Sequence, residues 1–556
     1  MIFVGRNIVR STWLCFFFSS SFLWGQVPAF PGADGFGAAA SGGRAGAVYH
    51  VANLDNDGPG SLRYGIETAN SPLTIVFDIS GNIELTNYLR IRTPNMTIAG
   101  QTAPGKGVCI QNYGMIVQAD NVILRHLRIR PGDKYLAPAD QGGFTEDALS
   151  LSASMIIADH ISASWGVDEN LSCGTKFQNI TIQNCIIAEG LHKTLYYHGV
   201  YTPDHSGHSM GSLVKIRGQD AVATLHHNLW AHNSNRNPAI GSYDSTEYLQ
   251  VDVRNNVMYN CATFGYSSGA SKKIDLNYVG NYLIAGRSTP SGNRSKAFEA
   301  NPPNHLYIYQ SGNKIDPDLD NLRDGKDTGW LMFTDTWSKQ DTAFLMPIMN
   351  TQSADDAYME IIADAGAFPW ARDSVDIRII NDLQQGTGRI IDSQAEVGGY
   401  PQLPVVQRPS DWDTDQDGMP DQWEDSKGLN KTDPEDRNGD DDGDGYTNLE
   451  AYLNSTDLLV SVKETAVIIP ENLALNNFPN PFNPSTSIVY TLPEKTPVHL
   501  SVYSSTGAKI CDLVNKTMPG GNYQVEFSGE NLASGVYFIH LQTGEQSATR
   551  KMILIK

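Results

Sequence analysis

Arg236 stands in the stretch HNSNRNPAIG, residues 232–241, between small amides and a proline, with no carboxylate beside it in the chain. A guanidinium placed that way presents a planar fork of donors suited to an anionic group. Upstream, IIADHISASWGVDENLS sets Asp159 one strand and bend before Asp168, Glu169 and Asn170. If corresponding bends of stacked coils face one another, the carboxylates of Asp159, Asp168 and Glu169 meet, and oxygen-only ligands select a hard cation such as calcium. Acidic residues at surface turns fit the same spacing. Between these stretches, residues 189–218 carry Lys193, His198, Tyr201, His205, His208, Lys215 and Arg217 on one long insertion. That mixture of cationic and aromatic groups suits an acidic sugar, or a polar flap. His226 and His227 read as core or bend histidines rather than metal ligands.

A second constellation lies downstream. In DTDQDGMPDQWE, Asp413, Asp415, Asp417, Gly418, Asp421 and Glu424 occupy positions 1, 3, 5, 6, 9 and 12 of an EF-hand loop. Carboxylates on alternating residues around a glycine turn suit calcium. A following tract repeats the start with Asp440, Asp442, Asp444, Gly445 and Asn448, but Ala451 stands where the closing glutamate belongs and Glu450 comes one residue early. No catalytic group converges on this region, so a metal here is structural; a solvated acidic linker is the alternative.

The elements that must hold these residues are short strands. NMTIAG, NVILRHLRIRPG, MIIADHISASWG, NITIQNCIIAEG, ATLHHNLWAHN, VDVRNNVMYN and IDLNYVGNYLIAG each read as a strand, a polar bend marked by Asn or His, and a second strand. Their irregular recurrence fits the coils of a parallel β-solenoid with loops of variable length. A β-sandwich would favour Asn-Gly hairpin turns, which are scarce here. The expected organisation is a solenoid over 27–407 with 301–407 as its cap or wrap, a calcium segment over 408–456, a linker over 457–472 and a small antiparallel β-sandwich over 473–556.

Residues 1–26, with Arg6, Arg10 and the run WLCFFFSSSFLWG, read as a secretory signal. No later apolar run is long enough to span a bilayer. Without Cys15, the five remaining cysteines are odd in number and lack CxxC spacing, so no disulfide framework or zinc site is implied. The formal charge of −21 disfavours nucleic acid and anionic lipid as partners. A polyanionic ligand therefore needs a local cationic site. We expect an exported monomer.

Taken together, AFPGADGFGAAASGGRAGAVYHVANLDNDGPGSLRYGIE, TIVFDISGNIEL, ADHISASWGVDENLS, HHNLWAHNSNRNPAIG, RNNVMYN and AGAFPWARDSVDIRIINDL resemble the pectate lyase superfamily, right-handed parallel β-helix enzymes of the first polysaccharide lyase family. The resemblance spans about residues 27–407. It implies an all-β right-handed parallel β-helix, calcium (Ca2+) held at Asp159 and Asp168 with Glu169 beside them, and Ser172 at the place of a further acidic ligand. The family's essential arginine, in an RxP turn, maps onto Arg236. The basic residue that usually follows the proline is replaced by Ala239 and Ile240, and Lys193 resembles the lysine that meets substrate carboxylates. The acidic tract resembles thrombospondin type 3 calcium repeats. NFPNPFNPSTSIVYTLPE with GVYFIHLQTGEQSATRKMILIK resembles the C-terminal sorting domain of the type IX secretion system, an Ig-like β-sandwich. That implies a type IX secretion machinery partner and a secreted or cell-surface location.

The resemblance implies β-elimination on an acidic polysaccharide, with calcium on the uronate carboxylate and Arg236 as the base. A guanidinium holds its proton to above pH ~12, so Lys193, His208 or Tyr201 are the alternative proton acceptors, with Arg236 as a carboxylate clamp. His208, Tyr201, Lys215 and Arg217 are the expected substrate contacts. Two rivals fit the same residues: a β-helical glycoside hydrolase using a carboxylate pair, and a non-catalytic carbohydrate-binding solenoid.

Overall fold

The computed structural model describes residues 27–555 apart from 69, 136–146, 194–195, 198–199, 202–207, 270, 301–303, 336, 348, 460–473, 479–481, 493–494, 519–520, 531 and 545. The expected signal at 1–26 and most of the expected linker lie outside the described residues. Helix Asn448–Leu459 continues through residues 457–459, where the linker was expected to begin.

Residues up to Asp457 form one unit. It is a parallel β-helix of three sheets, with eleven, nine and nine strands. Each coil contributes one strand to each sheet in turn, as Ser154–Asp159, Ser162–Ser164 and Leu171–Cys173 do. The register stacks like on like. Ile98, Leu124, Ala158, Ile182, Leu225 and Val253 are successive partners along the first sheet, and all are sealed from solvent. Such ladders form the core, and they are why the sequence repeats a short apolar run per coil.

The bends explain the Asn and His residues. Between the first and second sheets His126, His160, Asn184, His227 and Asn255 all take φ between 52° and 54°, a left-handed conformation that Asn and His tolerate better than branched residues. Beside these bends, Asn228, Asn256, Asn281 and Asn313 form a buried ladder in which each amide oxygen accepts from the asparagine one coil earlier, at 2.9–3.1 Å. The ladder satisfies polar groups that burial would otherwise leave unpaired.

Helices Ala354–Asp364 and Ser374–Gln385 cover part of the second sheet, burying Tyr358, Ile361, Ile379 and Leu383 against Ile186, Leu229, Val257 and Tyr282. Asp373 caps the second helix, accepting from the Val375 and Asp376 amides. The same carboxylate and Asp376 receive the buried guanidinium of Arg130, Asp376 at 2.7 Å. A buried pair with this many hydrogen bonds fixes where the wrap attaches.

The acidic tract packs on the first sheet. Met419, Trp423, Leu449, Tyr452 and Leu453 cluster with Val76 and Ala99, and Arg44 pairs with Glu450 at 2.8 Å. The C-terminal unit, from Leu458, has a three-stranded and a four-stranded antiparallel sheet around Leu475, Phe482, Ile488, Leu500 and Ile539. Among the described residues no helix is long and apolar enough to cross a membrane.

Candidate active site

Four successive coils turn from the second sheet into the third just before strands Leu149–Leu151, Leu171–Cys173, Leu213–Ile216 and Ala239–Ser242. Backbone bonds hold these turns in one stack: the Ala148 amide donates to Glu169 O, Asn170 to Met210 O and Gly211 to Asn235 O, at 2.9–3.0 Å. The turns therefore rise by about 4.8 Å per coil. Asp147 lies on the first, Asp168 and Glu169 on the second, and Arg236 on the fourth. Carboxylate oxygens of Asp147, Asp168 and Glu169 come within 4.8 Å of one another.

Arg236 reaches back across two coils. Its Nη1 is in direct contact with Glu169 and 3.9 Å from Asp168 Oδ1, and it hydrogen-bonds Tyr266. The residue sits in the left-handed region at φ 58°, a costly conformation for arginine that the turn imposes. The sequence around Arg236 has no carboxylate, but the stacking of coils supplies Glu169 as its partner. A relay of amides braces both partners. Asn170 donates to Asn233 Oδ1 at 3.0 Å, Asn233 to Asn237 Oδ1 at 3.1 Å, and Asn237 to the Thr263 carbonyl at 2.9 Å.

Asp159 is a second correction. It ends a strand of the first sheet, so its bend is a different corner of the coil from the one that carries Asp168. It is wholly buried, 2.9 Å from Arg125 Nε and 3.0 Å from His160 Nδ1, and accepts from Gln183 and Asn184. Burial disfavours its charge, but His160 and Arg125 hold the carboxyl well below its usual range. Asp147 takes the place intended for it. The signal was in the chain: DALSL at 147–151 and ENLSC at 169–173 share an acidic residue two places before a Leu-Ser pair.

His208 is buried against the Val167 carbonyl at 3.0 Å, with Nδ1 3.8 Å from Asp168 Oδ1. Lys215 and Arg217 flank the Tyr243 ring at 4.1 and 4.4 Å, and burial with the neighbouring Arg217 lowers the Lys215 pKa. Lys215 lies on strand Leu213–Ile216, about 10 Å along it from the stacked turns. Lys193 is exposed on the loop after strand Ile186–Ala188. Tyr201 is described only as backbone, paired with Tyr196; His198 and His205 lie outside the described residues.

The donor set suits a hard cation. Three carboxylates converge, and the charge that meets them is the Arg236 guanidinium on Glu169. In the acidic tract, Asp413, Asp415 and Asp417 converge, and Asp417 and Glu424 meet Asp436, which the sequence reading missed. Both Glu424 oxygens are buried without a hydrogen-bond partner. Burial and the neighbouring carboxylates push Glu424 up to about 8 and Asp417 to about 7; burial lifts Asp413 to about 6. Asp421, expected as a ligand, instead accepts from the Thr414 amide and hydroxyl at 2.7 and 2.8 Å. In the second tract Asp440 accepts from Gly443 and Gly445, Asp442 from the Asp444 amide and Asp444 from Tyr446, while Glu450 is taken by Arg44.

Comparison with known proteins identifies relatives of both units. Residues 476–556 match the family model described as a secretion system C-terminal sorting domain, so the chain is sorted for secretion by the type IX route that its ending resembled. A protein named "Probable pectate lyase C" from Aspergillus oryzae is 34% identical over 439 residues, covering 77% of this chain and 93% of that protein. The protein of the same name from Aspergillus fumigatus is 35% identical over 444 residues, with the same coverage. The crystal structure of jun a 1, the major allergen from cedar pollen, is similar at 19% identity and a TM-score of 0.45, covering 60% of this chain and 92% of that one. With more than a third of positions shared across nearly the full length of such relatives, this chain belongs to the pectate lyase family of polysaccharide lyases.

Proposed function

We propose that the chain is a calcium-dependent lyase that cleaves a uronic acid polysaccharide, of the pectate or polygalacturonate class, by β-elimination at the stacked turns. The observation that carries the reading is the convergence of Asp147, Asp168 and Glu169 beneath the guanidinium of Arg236. When bound there, calcium supplies positive charge that stabilises the enolate-like dianion formed next to the uronate carboxylate. Asp147, Asp168 and Glu169 would hold the ion, and Ser172 stands where the family resemblance places a further acidic ligand. Arg236, acting as a neutral guanidine, takes the proton as the C–H bond beside the carboxylate breaks. The electron pair of that bond forms the new double bond, the glycosidic C–O bond breaks, and the departing oxygen is protonated by water. Lys215 and Arg217, stacked on Tyr243, offer further uronates a cationic contact along the third sheet.

Three carboxylates that converge on one position suit the ligands of one cation better than the two flanking carboxyl groups a hydrolase uses, which leave room between them for the scissile bond or a water. In the acidic tract, Asp413, Asp415, Asp417, Glu424 and Asp436 would hold a second calcium with a structural role.

The test is incubation of the full chain with polygalacturonate and other uronic acid polymers, with calcium or with a chelator. The expected result is calcium-dependent growth of ultraviolet absorbance from unsaturated ends. Reducing ends that appear without that absorbance, and in the presence of chelator, would overturn the proposal in favour of hydrolysis.

A further inference from the structure

The third converging set of carboxylates lies far along the chain from both of those sites, at the last coil. Strand Lys314–Asp316 is the terminal strand of the second sheet. Immediately after it, DPDLDNLRDGKD places acids at 316, 318, 320, 324 and 327. The loop folds back on the strand it has just left: Ile315 and Lys326 exchange both backbone bonds at 3.0 Å, and the Gly325 amide donates to the Tyr282 hydroxyl at 3.0 Å. It thereby covers the open edge of the sheet, which would otherwise present unpaired amides and carbonyls.

Folding back brings carboxylate oxygens of Asp316, Asp318 and Asp324 within 4.8 Å of one another. Asp318 and Asp324 are exposed, as in many solvated acidic turns, but Asp316 is not. It is 1% exposed, and its Oδ2 is buried without a hydrogen-bond partner. A buried carboxylate oxygen with no donor, beside two further carboxylates, costs free energy unless a cation joins it. Of the loop's two cations, Arg323 spends its Nη groups on the Leu383 and Leu322 carbonyls, at 2.6 and 3.3 Å, and Lys326 is exposed.

We propose that Asp316, Asp318 and Asp324 bind a divalent cation of the calcium type, and that this ion clasps the 317–328 loop over the terminal edge of the β-helix. Three carboxylates offer hard oxygen ligands only, which favours calcium over zinc or copper. Asp318 Oδ1 accepts from the Asp320 amide at 3.2 Å, which leaves its second oxygen for an ion; Asp320 and Asp327, which accept from the Leu322 and Gly329 amides at 2.8 and 2.7 Å, are not among the three carboxylates that converge, and we assign them no role in the site. The clasp would be independent of the lyase centre and of the acidic tract, since it shares no residue with either.

The experiment uses the full chain and calcium alone as the probe. Bound calcium is counted by equilibrium dialysis, and Tm is measured with and without calcium, for the wild type, for Asp318→Asn/Asp324→Asn and for Asp316→Asn. Each variant is expected to bind one equivalent fewer. Removing like charges leaves its calcium-free Tm equal to or above the wild type's, while the rise in Tm on adding calcium shrinks. An unchanged count of bound calcium would overturn the proposal. So would a Tm lowered equally with and without calcium, which marks ordinary loop contacts rather than an ion.

Discussion

Arg236 Nη1 and the Glu169 carboxylate, sixty-odd residues apart in the chain, are brought into contact by the stacking of one turn above another. The guanidinium therefore occupies part of the space in which the carboxylates converge, and it competes with a cation for Glu169. Arg236→Ala should raise calcium affinity at this centre while lowering kcat by roughly 10^3-fold or more, a loss on the scale of deleting a group that stabilises transition-state charge. Arg236→Lys should fare little better, because a point charge does not replace a planar fork. Calcium titration and the ultraviolet assay read the two effects; near-normal turnover with either substitution would remove Arg236 from the reaction.

Asp147 and Asp159 provide a contrast between an acid that serves the reaction and one that serves the fold. Asp147→Asn should abolish calcium-stimulated turnover with little change in Tm, because the carboxylate is only half-buried on the stacked turns beside like-charged neighbours. Asp159→Asn leaves Arg125 and His160 buried beside a neutral amide, a change that costs about 3–5 kcal/mol. Thermal unfolding and calcium-dependent activity should separate the two substitutions. If Asp159→Asn spared Tm but abolished calcium binding, the placement of the lyase centre at Asp147 would fail.

The β-helix was legible because each coil repeats an apolar ladder and a bend, and the left-handed bends demand Asn or His at places such as His160 and Asn255. Arg236, Asp168 and Glu169 were singled out through the family resemblance, and the fold brings their side chains together on stacked turns. What a single pass along the chain did not show is which corner of the coil each bend belongs to. Asp159 and Asp147 both precede short strands, and only the pairing of Leu149 with Leu171 sets Asp147 above Glu169. Likewise Asp436 joins Glu424 through the folding of the acidic tract rather than through loop position, which had favoured Asp421.

His160 should make the protein sensitive to alkali. Burial alone would lower its pKa, but Asp159 and then Asp364, at 3.0 and 3.1 Å, raise it from the ordinary 6.5 to about 10. The folded chain thus keeps a proton that the unfolded chain releases above pH ~6.5. The stabilisation is complete below that value, declines as pH rises and is lost above about 10. Asp159, held low, acts in the opposite sense and loses its share as pH falls below the usual carboxylate range. Tm measured from pH 6 to 10 should therefore fall, and fall less steeply in His160→Gln. Parallel curves for the two proteins would show that His160 carries no such linkage.

The division after Asp457 separates chemistry from export. Every residue assigned to the lyase centre, the helical wrap and the acidic tract lies in the first unit, whose core is continuous from Val51 to Phe368 and includes no residue beyond it. The second unit has its own core, from Leu475 to Leu554, and matches the sorting domain. Since each unit has its own hydrophobic cluster among the described residues, a chain ending at Asp457 should retain Tm and kcat/KM on polygalacturonate within about twofold. In its native host the same truncation should leave the protein inside the cell envelope. Activity measurements on purified truncated protein and fractionation of the culture test the two halves separately. A folded truncation that had lost turnover would mean that the terminal sandwich takes part in the reaction, and the assignment of all catalytic groups to the β-helix would have to be withdrawn.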